Sequence, residues 1–206
     1  MSVAALLRTR SVSRETLERL ELYEALLRKW NPAINLVAKS TLADVWDRHI
    51  LDSAQLFDLA DEGWKTWADL GSGGGFPGLV IAILAAQYNP DATVTLVESD
   101  QRKSAFLATV VRDTGLTAKI LVERIENIAP LNADIVSARA LASLDVLLKY
   151  AKQHVATDGL ALFPKGGNRQ DEIAQAIEKW QFSYEQPKSI TDADAVILAV
   201  RGVSRV

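Results

Sequence analysis

The sequence predicts an α/β fold in which a mostly parallel, seven-stranded sheet ends in an antiparallel hairpin and follows a helical N-terminal segment. From Trp64 onward, short apolar runs alternate with segments of helical periodicity, which is typical of parallel strands covered by helices. Before Trp64 the apolar residues recur only at helical spacing. We therefore expect a helical extension over residues 1–62 that packs on an α/β domain over residues 63–206.

Two helices are predicted in the extension. The first covers residues 13–30, with Ser13 as its N-cap. Asn31 and Pro32 are expected to end it, because the residue before a proline is pushed out of the α region. The second covers about residues 46–60, where Trp46 and Phe57 belong to one apolar stripe.

The α/β domain is predicted to contain seven strands and four main helices. The strands are expected at residues 66–70, 93–98, 118–122, 134–137, 160–163, 183–187 and 195–200. The helices are expected at residues 77–88, 101–114, 144–153 and 169–179. Only residues 188–194 separate the last two strands, which is too short for a crossover helix, so these strands should form an antiparallel hairpin at the sheet edge.

Composition excludes several kinds of site. The 206-residue chain has no cysteine, which excludes a disulfide framework, a thiolate zinc site and a cysteine nucleophile. Its two histidines lie far apart, so no metal site is expected. The longest apolar run, residues 79–86, is too short to cross a bilayer, and no signal-peptide pattern is present, so a cytoplasmic protein without membrane contact is expected. The net charge of −3 argues against nonspecific nucleic-acid binding but leaves a local basic face open.

A glycine-rich turn over residues 69–78 follows the first predicted strand and opens the next helix. Glycines let the backbone approach a ligand closely, and a helix N-terminus offers unpaired N–H groups. Gly73, Gly75 and Gly78 satisfy the pattern G-x-G-x-x-G, so a dinucleotide site fits the turn as well as S-adenosylmethionine does. A P-loop is excluded, because Leu79 stands where its lysine should follow.

Two acidic residues bear on the choice of cofactor. Glu98 closes the second strand, where a carboxylate can accept hydrogen bonds from both ribose hydroxyls of an adenosine. NAD and S-adenosylmethionine share that adenosine, so Glu98 does not separate them. Asp69 precedes the first glycine and suits the cationic amino-acid end of S-adenosylmethionine better than a pyrophosphate. Together with the terminal hairpin, Asp69 favours S-adenosylmethionine, while a turn with only a structural role stays an alternative.

With these residues in place, the chain resembles the RsmG (GidB) family of bacterial 16S ribosomal RNA guanine-N7 methyltransferases over nearly its whole length. The resemblance implies a Rossmann-like class I methyltransferase fold. Gly74 departs from it, since relatives often carry alanine or proline there. The matching segments are residues 30–36, residues 48–53, the turn ending Phe76-Pro77-Gly78, Glu98-Ser99 with Lys103, Ser137-Arg139-Ala140 and Pro164-Lys165-Gly166.

The resemblance also implies roles for single residues. Gly71 and Phe76 would line the methionine side of the cofactor, and Glu98 would hold the ribose. Ile125 and Glu126 would flank the adenine. Arg139 would lie near the carboxylate and the acceptor. The expected cofactor-binding residues are Asp69, Gly71, Gly73, Phe76, Glu98, Ile125, Glu126 and Arg139.

The acceptor implied by the resemblance, N7 of a guanine, has a lone pair and no proton to lose. In-line displacement therefore requires no general base, and none is assigned. Arg139 and Lys165 follow the fourth and fifth strands, at the edge where ligands bind to open α/β sheets, and are the acceptor-side candidates. The alternatives are an internal salt bridge for Arg139, with Glu126 as a partner, and a solvated charge for Lys165.

Other polar residues are expected to have structural roles. His49 is expected to join the extension to the sheet, Arg48 and Asp52 suit a pair on one helix face, and His154 is expected at the surface. The expected partner is 16S ribosomal RNA, free or within an assembling small subunit, and the chain is expected to be a monomer. Candidates for a basic RNA-binding face are Arg10, Lys39, Arg102, Lys165, Arg169, Arg201 and Arg205.

Three other functions stay open on the residues alone. They are a methyltransferase with a non-RNA acceptor, an NAD-dependent oxidoreductase, and a noncatalytic adenosine-binding module. The oxidoreductase lacks an obvious hydride-transfer acid and leaves the terminal hairpin unexplained.

Overall fold

The computed structural model describes residues 11–206, so the first ten residues of the predicted extension, Arg10 among them, lie outside the described residues. The strands are β1 Thr66–Leu70, β2 Thr93–Val97, β3 Lys119–Leu121, β4 Ala133–Ser137, β5 Val155–Lys165, β6 Trp180–Glu185 and β7 Val196–Arg205. The α-helices are α1 Arg14–Ile34, α2 Asp52–Leu59, α3 Gly78–Tyr88, α4 Gln101–Asp113, α5 Leu144–His154 and α6 Arg169–Ile177. Short 3-10 helices occupy Lys39–Thr41 and Ile125–Asn127, and a π-helix occupies Trp46–Leu51.

The strands form one sheet in the order β3-β2-β1-β4-β5-β7-β6. Strands β1 to β5 pair in parallel, and β7 pairs antiparallel with both β5 and β6. The predicted mostly parallel, seven-stranded sheet with an antiparallel terminal hairpin is therefore confirmed. The chain leaves β1 toward β2 on one side and returns beside β1 as β4 on the other. Ligands bind to open α/β sheets outside the carboxyl ends of the strands at such a reversal of order.

Helix α1 passes through the proline that was expected to end it. The helix continues to Ile34, and the N–H of its C-cap Asn35 donates to the Asn31 carbonyl. The Asn31 side chain is buried and both donates to and accepts from the backbone of Val37. These tertiary hydrogen bonds outweigh the local preference before a proline, and Pro32 removes only one N–H from the helix.

Several further boundaries differ from the sequence prediction. Strand β5 begins at Val155 instead of residue 160, and β7 continues to Arg205 instead of residue 200. The helix expected near residues 46–60 is a π-helical turn followed by α2. Strand β6 begins at Trp180 instead of residue 183, because the buried Trp180 pairs with Arg205 and its indole N–H donates to Asp145. Edge strands alternate weakly between buried and exposed positions, so their starts are hard to read from sequence.

The extension and one face of the sheet share a single hydrophobic cluster. Leu20 and Tyr23 of α1 lie in it together with Trp67 of β1 and Leu96 of β2. Helix α3 is buried over residues 78–85 because the sheet covers one side of it and the extension contacts the other. A second cluster, on the other face, holds α5 and α6 against β4 and β5. The predicted boundary at residue 62 stays a prediction.

Within residues 11–206, no helix has both the length and the apolar character that a membrane span requires.

The Gly78→Ala substitution is expected to lower the free energy of unfolding by about 1–3 kcal/mol, although alanine is the better helix former. A Cβ atom at Gly78 would lie 2.3 Å from Leu96 Cδ2 and 2.6 Å from Asp69 Oδ2. Chemical denaturation followed by circular dichroism measures the change. Gly167→Ala is the matched control, since a Cβ atom there meets no atom within 4 Å. Equal stability of the two variants would contradict the prediction.

Candidate active site

Two adjoining cavities open at the carboxyl ends of the central strands. The larger has a volume of about 870 Å³ and the smaller about 470 Å³, both in the range of small-molecule sites. The glycine turn and the segment after β4 separate them. Residues that line both cavities are Gly71, Gly73, Lys103, Arg139, Ala140 and Leu141.

The glycine turn brings bare backbone to the border of the two cavities. Gly71 and Gly73 have φ values of +67° and +55°, in the left-handed region that favours glycine. A Cβ atom at Gly73 would meet only Gly71 O, at 3.7 Å, so a side chain there would project into the open space. At Gly71 it would lie 2.5 Å from Leu141 Cδ1. The turn is thus a cradle that side chains would fill, which fits a closely approaching ligand.

Asp69 is fully buried behind the turn and lines neither cavity. Oδ1 accepts from the Ser137 hydroxyl at 2.7 Å, and Oδ2 accepts from the Gly78 N–H at 3.1 Å. Burial raises the pKa of Asp69 to about 6, while these hydrogen bonds oppose the rise. The Asp69 side chain therefore faces neither cavity, and its expected contact with the cofactor's cationic end stays a prediction. Its carboxylate accepts hydrogen bonds within the fold, from Ser137 and Gly78, and thereby fixes the conformation of the turn.

Glu98 lines the smaller cavity, at the end of β2. Its Oε2 accepts from the Gly73 N–H at 2.8 Å and its Oε1 from the Asp100 N–H at 2.8 Å. A carboxylate oxygen has a second lone pair, so each oxygen can accept one further hydrogen bond from a ligand hydroxyl. The position suits the expected ribose contact.

Ile125 and Glu126 also line the smaller cavity, in the 3-10 helix after β3. Ile125 is buried, while Glu126 is exposed and accepts a hydrogen bond from the Tyr150 hydroxyl. Phe76 lines the larger cavity only. The structure thus brings Glu98, Ile125 and Glu126 together, with Arg139 at the border and Phe76 beyond it.

Arg139 lies between the two cavities and is held by the extension. Its Nη1 donates to Asp52 Oδ2 at 3.3 Å and to the Arg48 carbonyl at 3.2 Å. Its guanidinium carbon stands 5.1 Å from the centre of the Phe76 ring, which is a cation–π contact. The salt bridge considered from the sequence exists, but its partner is Asp52 and not Glu126. Arg48 is therefore not paired with Asp52 as expected. Its Nη1 lies 3.9 Å from Oδ2 of Asp192 instead.

His49 buttresses Arg139 as a neutral ring. Arg139 Nη2 lies 2.9 Å from Nδ1 of His49, and because a guanidinium only donates, Nδ1 must accept. The proton then sits on Nε2, which lies 2.8 Å from the Thr41 hydroxyl. Burial, with Arg139 and Arg48 nearby, lowers the pKa of His49 to about 4. The ring also stacks on Phe76 at 4.9 Å, so His49 joins the extension to the sheet as expected.

Lys165 lines the larger cavity but its ammonium group is already paired. Nζ donates to Glu172 Oε2 at 2.7 Å, and the same oxygen accepts from the Leu144 N–H at the start of α5. The side chain is therefore not the solvated charge considered from the sequence, since it is only 10% exposed. It links β5 to α5 and α6 at the wall of the cavity.

The extension and the connection between β6 and β7 meet at the larger cavity, where Asp52 and Thr191 are both part of the lining. Asp52 Oδ1 accepts from the Thr191 hydroxyl at 3.0 Å. Gln55 donates to the Ser189 hydroxyl and accepts from the Ile190 N–H. The connection between β6 and β7 is thus tied to the extension, and we refer to these hydrogen bonds as the terminal clasp.

Several contributors to the site were not assigned from the sequence. Tyr23 in α1 donates a hydrogen bond to the Gly74 carbonyl at 2.6 Å and packs on Phe76. Ala140 has a φ of +50°, an unfavourable conformation for alanine, and lies between Arg139 and Leu141, which both line the two cavities. Tyr23 lies at helical spacing from Leu20 and Leu27, which predicts a core position for it, but no sequence signal indicates the conformation of Ala140.

His154 is fully buried, which corrects the expected surface position. It ends α5, and its Nε2 lies 3.2 Å from the Ile125 carbonyl.

Among the candidates for a basic face, Lys165 lines a cavity, whereas Arg201 and Arg205 belong to the part of β7 directed away from the carboxyl ends of the parallel strands. In the part of the chain that the structure describes, no group of three or more acidic or histidine side chains is placed to hold a metal ion.

The chain is similar in sequence to a known family over most of its length. Residues 16–199 match the family model GidB, described as rRNA small subunit methyltransferase G. A protein of Ruegeria pomeroyi named ribosomal RNA small subunit methyltransferase G is 52% identical over 198 residues, which cover 96% of this chain and 97% of the relative. A protein of the same name from Paramagnetospirillum magneticum is 49% identical over 205 residues, covering 100% of this chain and 98% of the relative.

Solved structures show the same fold at low identity. A SAM-dependent methyltransferase from Aquifex aeolicus superposes with a TM-score of 0.59 at 13% identity, covering 85% of this chain and 97% of that chain. TYW2 from M. jannaschii, solved in complex with AdoMet, superposes with a TM-score of 0.55 at 13% identity, covering 77% and 76%. The architecture is therefore that of Rossmann-like methyltransferases.

We predict that His49 stays neutral at pH 6 with its proton on Nε2, and that Arg139→Ala raises its pKa. Desolvation is the main cause of the low pKa, and the Arg139 charge adds to it. Nitrogen-15 NMR of the two histidine rings over a pH titration measures tautomer and pKa together. His154 is the internal control, because its lowered pKa arises from burial without Arg139. A His49 that titrates near 6.5 in the unsubstituted protein would contradict the geometry.

Proposed function

This chain belongs to the GidB family, described as rRNA small subunit methyltransferase G, and on that premise we propose that it methylates N7 of a guanine in 16S ribosomal RNA with S-adenosylmethionine as methyl donor. The family membership removes the basis for an NAD-dependent oxidoreductase and for a noncatalytic module. It also favours ribosomal RNA over a non-RNA acceptor.

The observation that carries the proposal is the position of Arg139 at the border of the two cavities. The smaller cavity takes the adenosine, with Glu98 accepting from the ribose hydroxyls and Ile125 and Glu126 beside the adenine. The methionine end lies along Gly71 and Gly73, reaching Phe76. The remainder of the larger cavity receives the guanine, next to Arg139 and Lys165. Asp69 contributes from behind the turn by fixing its shape.

When bound, S-adenosylmethionine supplies a methyl group on a positively charged sulfur, which a lone pair displaces in line. N7 of guanine offers such a lone pair and has no proton to lose, so the chain needs no general base. The state of His49 is consistent with a reaction that uses no general base. Its Nδ1 already accepts from Arg139, and its ring is neutral because its pKa is low. The residues of the site act by position: they align base, methyl group and sulfur and exclude competing geometries.

A guanine within folded RNA must leave its stack or lie in a loop to enter the larger cavity. We propose that the substrate is 16S ribosomal RNA, free or within an assembling small subunit, and that the enzyme acts as a monomer without membrane contact. Because the proposed acceptor is ribosomal RNA, the location we propose is cytoplasmic.

We expect Arg139→Ala to lower methyl transfer to ribosomal RNA by about 100-fold. Without the arginine the guanine is no longer held in line with the methyl group, and a small misplacement of reacting groups lowers a rate by that factor. Transfer of labelled methyl groups is measured in parallel on free 16S RNA and on small subunits, and the modified base is then mapped. Binding of S-adenosylmethionine, its demethylated product and NAD is titrated in the same preparations.

Arg112→Ala is the matched control, since Arg112 is exposed on α4 and pairs with the neighbouring Asp113. It should leave transfer and cofactor binding unchanged. A folded Arg139→Ala protein with normal transfer and normal cofactor affinity would remove Arg139 from the site. A labelled methyl group found at an atom other than guanine N7 would contradict the proposed acceptor atom.

A further inference from the structure

We propose that Tyr150 is a positioning residue for the adenine end of the cofactor: it holds the Glu126 carboxylate and thereby sets a preference for adenine over bases that lack its amino group. This inference rests on the proposed function, because the cofactor and the place of its adenine are assigned there. Tyr150 lines the smaller cavity and is 7% exposed.

The last turns of α5 support residues 125–128, the segment that borders the proposed adenine site. Tyr150, Gln153 and His154 are spaced i, i+3 and i+4, so they project from one face of the helix. Gln153 Nε2 donates to the Ile128 carbonyl at 3.2 Å, and His154 Nε2 donates to the Ile125 carbonyl at 3.2 Å. These two side chains hydrogen-bond to backbone carbonyls, whereas Tyr150 hydrogen-bonds to the side chain of Glu126, which lines the cavity.

The Tyr150 hydroxyl donates to Oε1 of Glu126. This hydrogen bond lowers the pKa of Glu126, and burial with the same contact raises the pKa of Tyr150 to about 12. At neutral pH the pair is therefore a phenol that donates to a carboxylate. An exposed glutamate otherwise samples several rotamers, and fixing them before the ligand arrives removes that entropic cost from binding.

Tyr150 occupies one lone pair of Glu126 Oε1, so the held carboxylate keeps further lone pairs for a ligand at the cavity wall. A carboxylate oxygen only accepts, so it matches the exocyclic amino group of adenine, which donates. Hypoxanthine carries a carbonyl oxygen at the same place, and two acceptors repel each other. A held carboxylate discriminates between these bases, whereas a free one can turn toward solvent and accommodate either.

The test compares S-adenosylhomocysteine with S-inosylhomocysteine by titration calorimetry. Tyr150→Phe keeps the ring and removes the hydroxyl. We expect it to weaken S-adenosylhomocysteine binding by about five- to tenfold and to leave S-inosylhomocysteine binding nearly unchanged, because only the first ligand uses the held carboxylate. The adenine preference therefore falls by the same factor.

Tyr184→Phe is the matched control, since Tyr184 lies half-exposed on β6, away from both cavities. It should change neither affinity. In a Glu126→Ala background, Tyr150→Phe should have no further effect on the preference, because the group that Tyr150 positions is gone.

Equal weakening of both ligands by Tyr150→Phe would indicate general loosening of the wall and would overturn the inference. An unchanged preference would overturn it as well. A wild-type protein that binds neither ligand would instead overturn the proposed function, and this inference with it.

Discussion

The buried carboxylate of Asp69 is the interaction on which the rest of the site depends. It receives the Gly78 N–H at the start of α3 and the Ser137 hydroxyl from β4, and Ser137 in turn receives the indole N–H of Trp67. A buried carboxylate is tolerated only when such donors surround it. The entry and exit of the glycine turn are thereby fixed to the two central strands. Both cavities border that turn, so their shape follows from one residue that touches neither of them.

The helices before β1 are a second wall of the site and not an accessory. Tyr23 fixes the Gly74 carbonyl from one side, while His49 and Asp52 fix Arg139 from the other. Phe76 lies among these residues, in contact with Tyr23, His49 and Arg139. The glycine turn and Arg139 come from the sheet, yet each takes its position from the extension. Removing the extension would therefore leave the turn and the arginine without the contacts that orient them.

Periodicity and chain spacing were enough to predict the sheet, its terminal hairpin and the helices, because these follow from local patterns of burial. They failed at Pro32, where the buried side chain of Asn31 overrides a local preference, and at the start of β6, where an edge strand has little alternation. At the site, Glu98 and Arg139 could be placed because the ends of parallel strands meet at one edge. The direction of the Asp69 carboxylate, the partner of Arg139 and the burial of His154 could not, because each depends on residues distant in sequence that only the folded chain brings together.

The terminal clasp also has a consequence for the order of events during synthesis. Its hydrogen bonds join residues that are 134 to 139 positions apart, and the Asp52–Thr191 pair among them lines the larger cavity. A chain emerges from its N-terminal end, so the extension waits for the connection between β6 and β7 before that part of the wall exists. A nascent chain therefore lacks this part of the wall of the larger cavity until the connection between β6 and β7 has emerged. This wall is therefore completed only after residues 189–191 have been synthesised and have folded back onto α2.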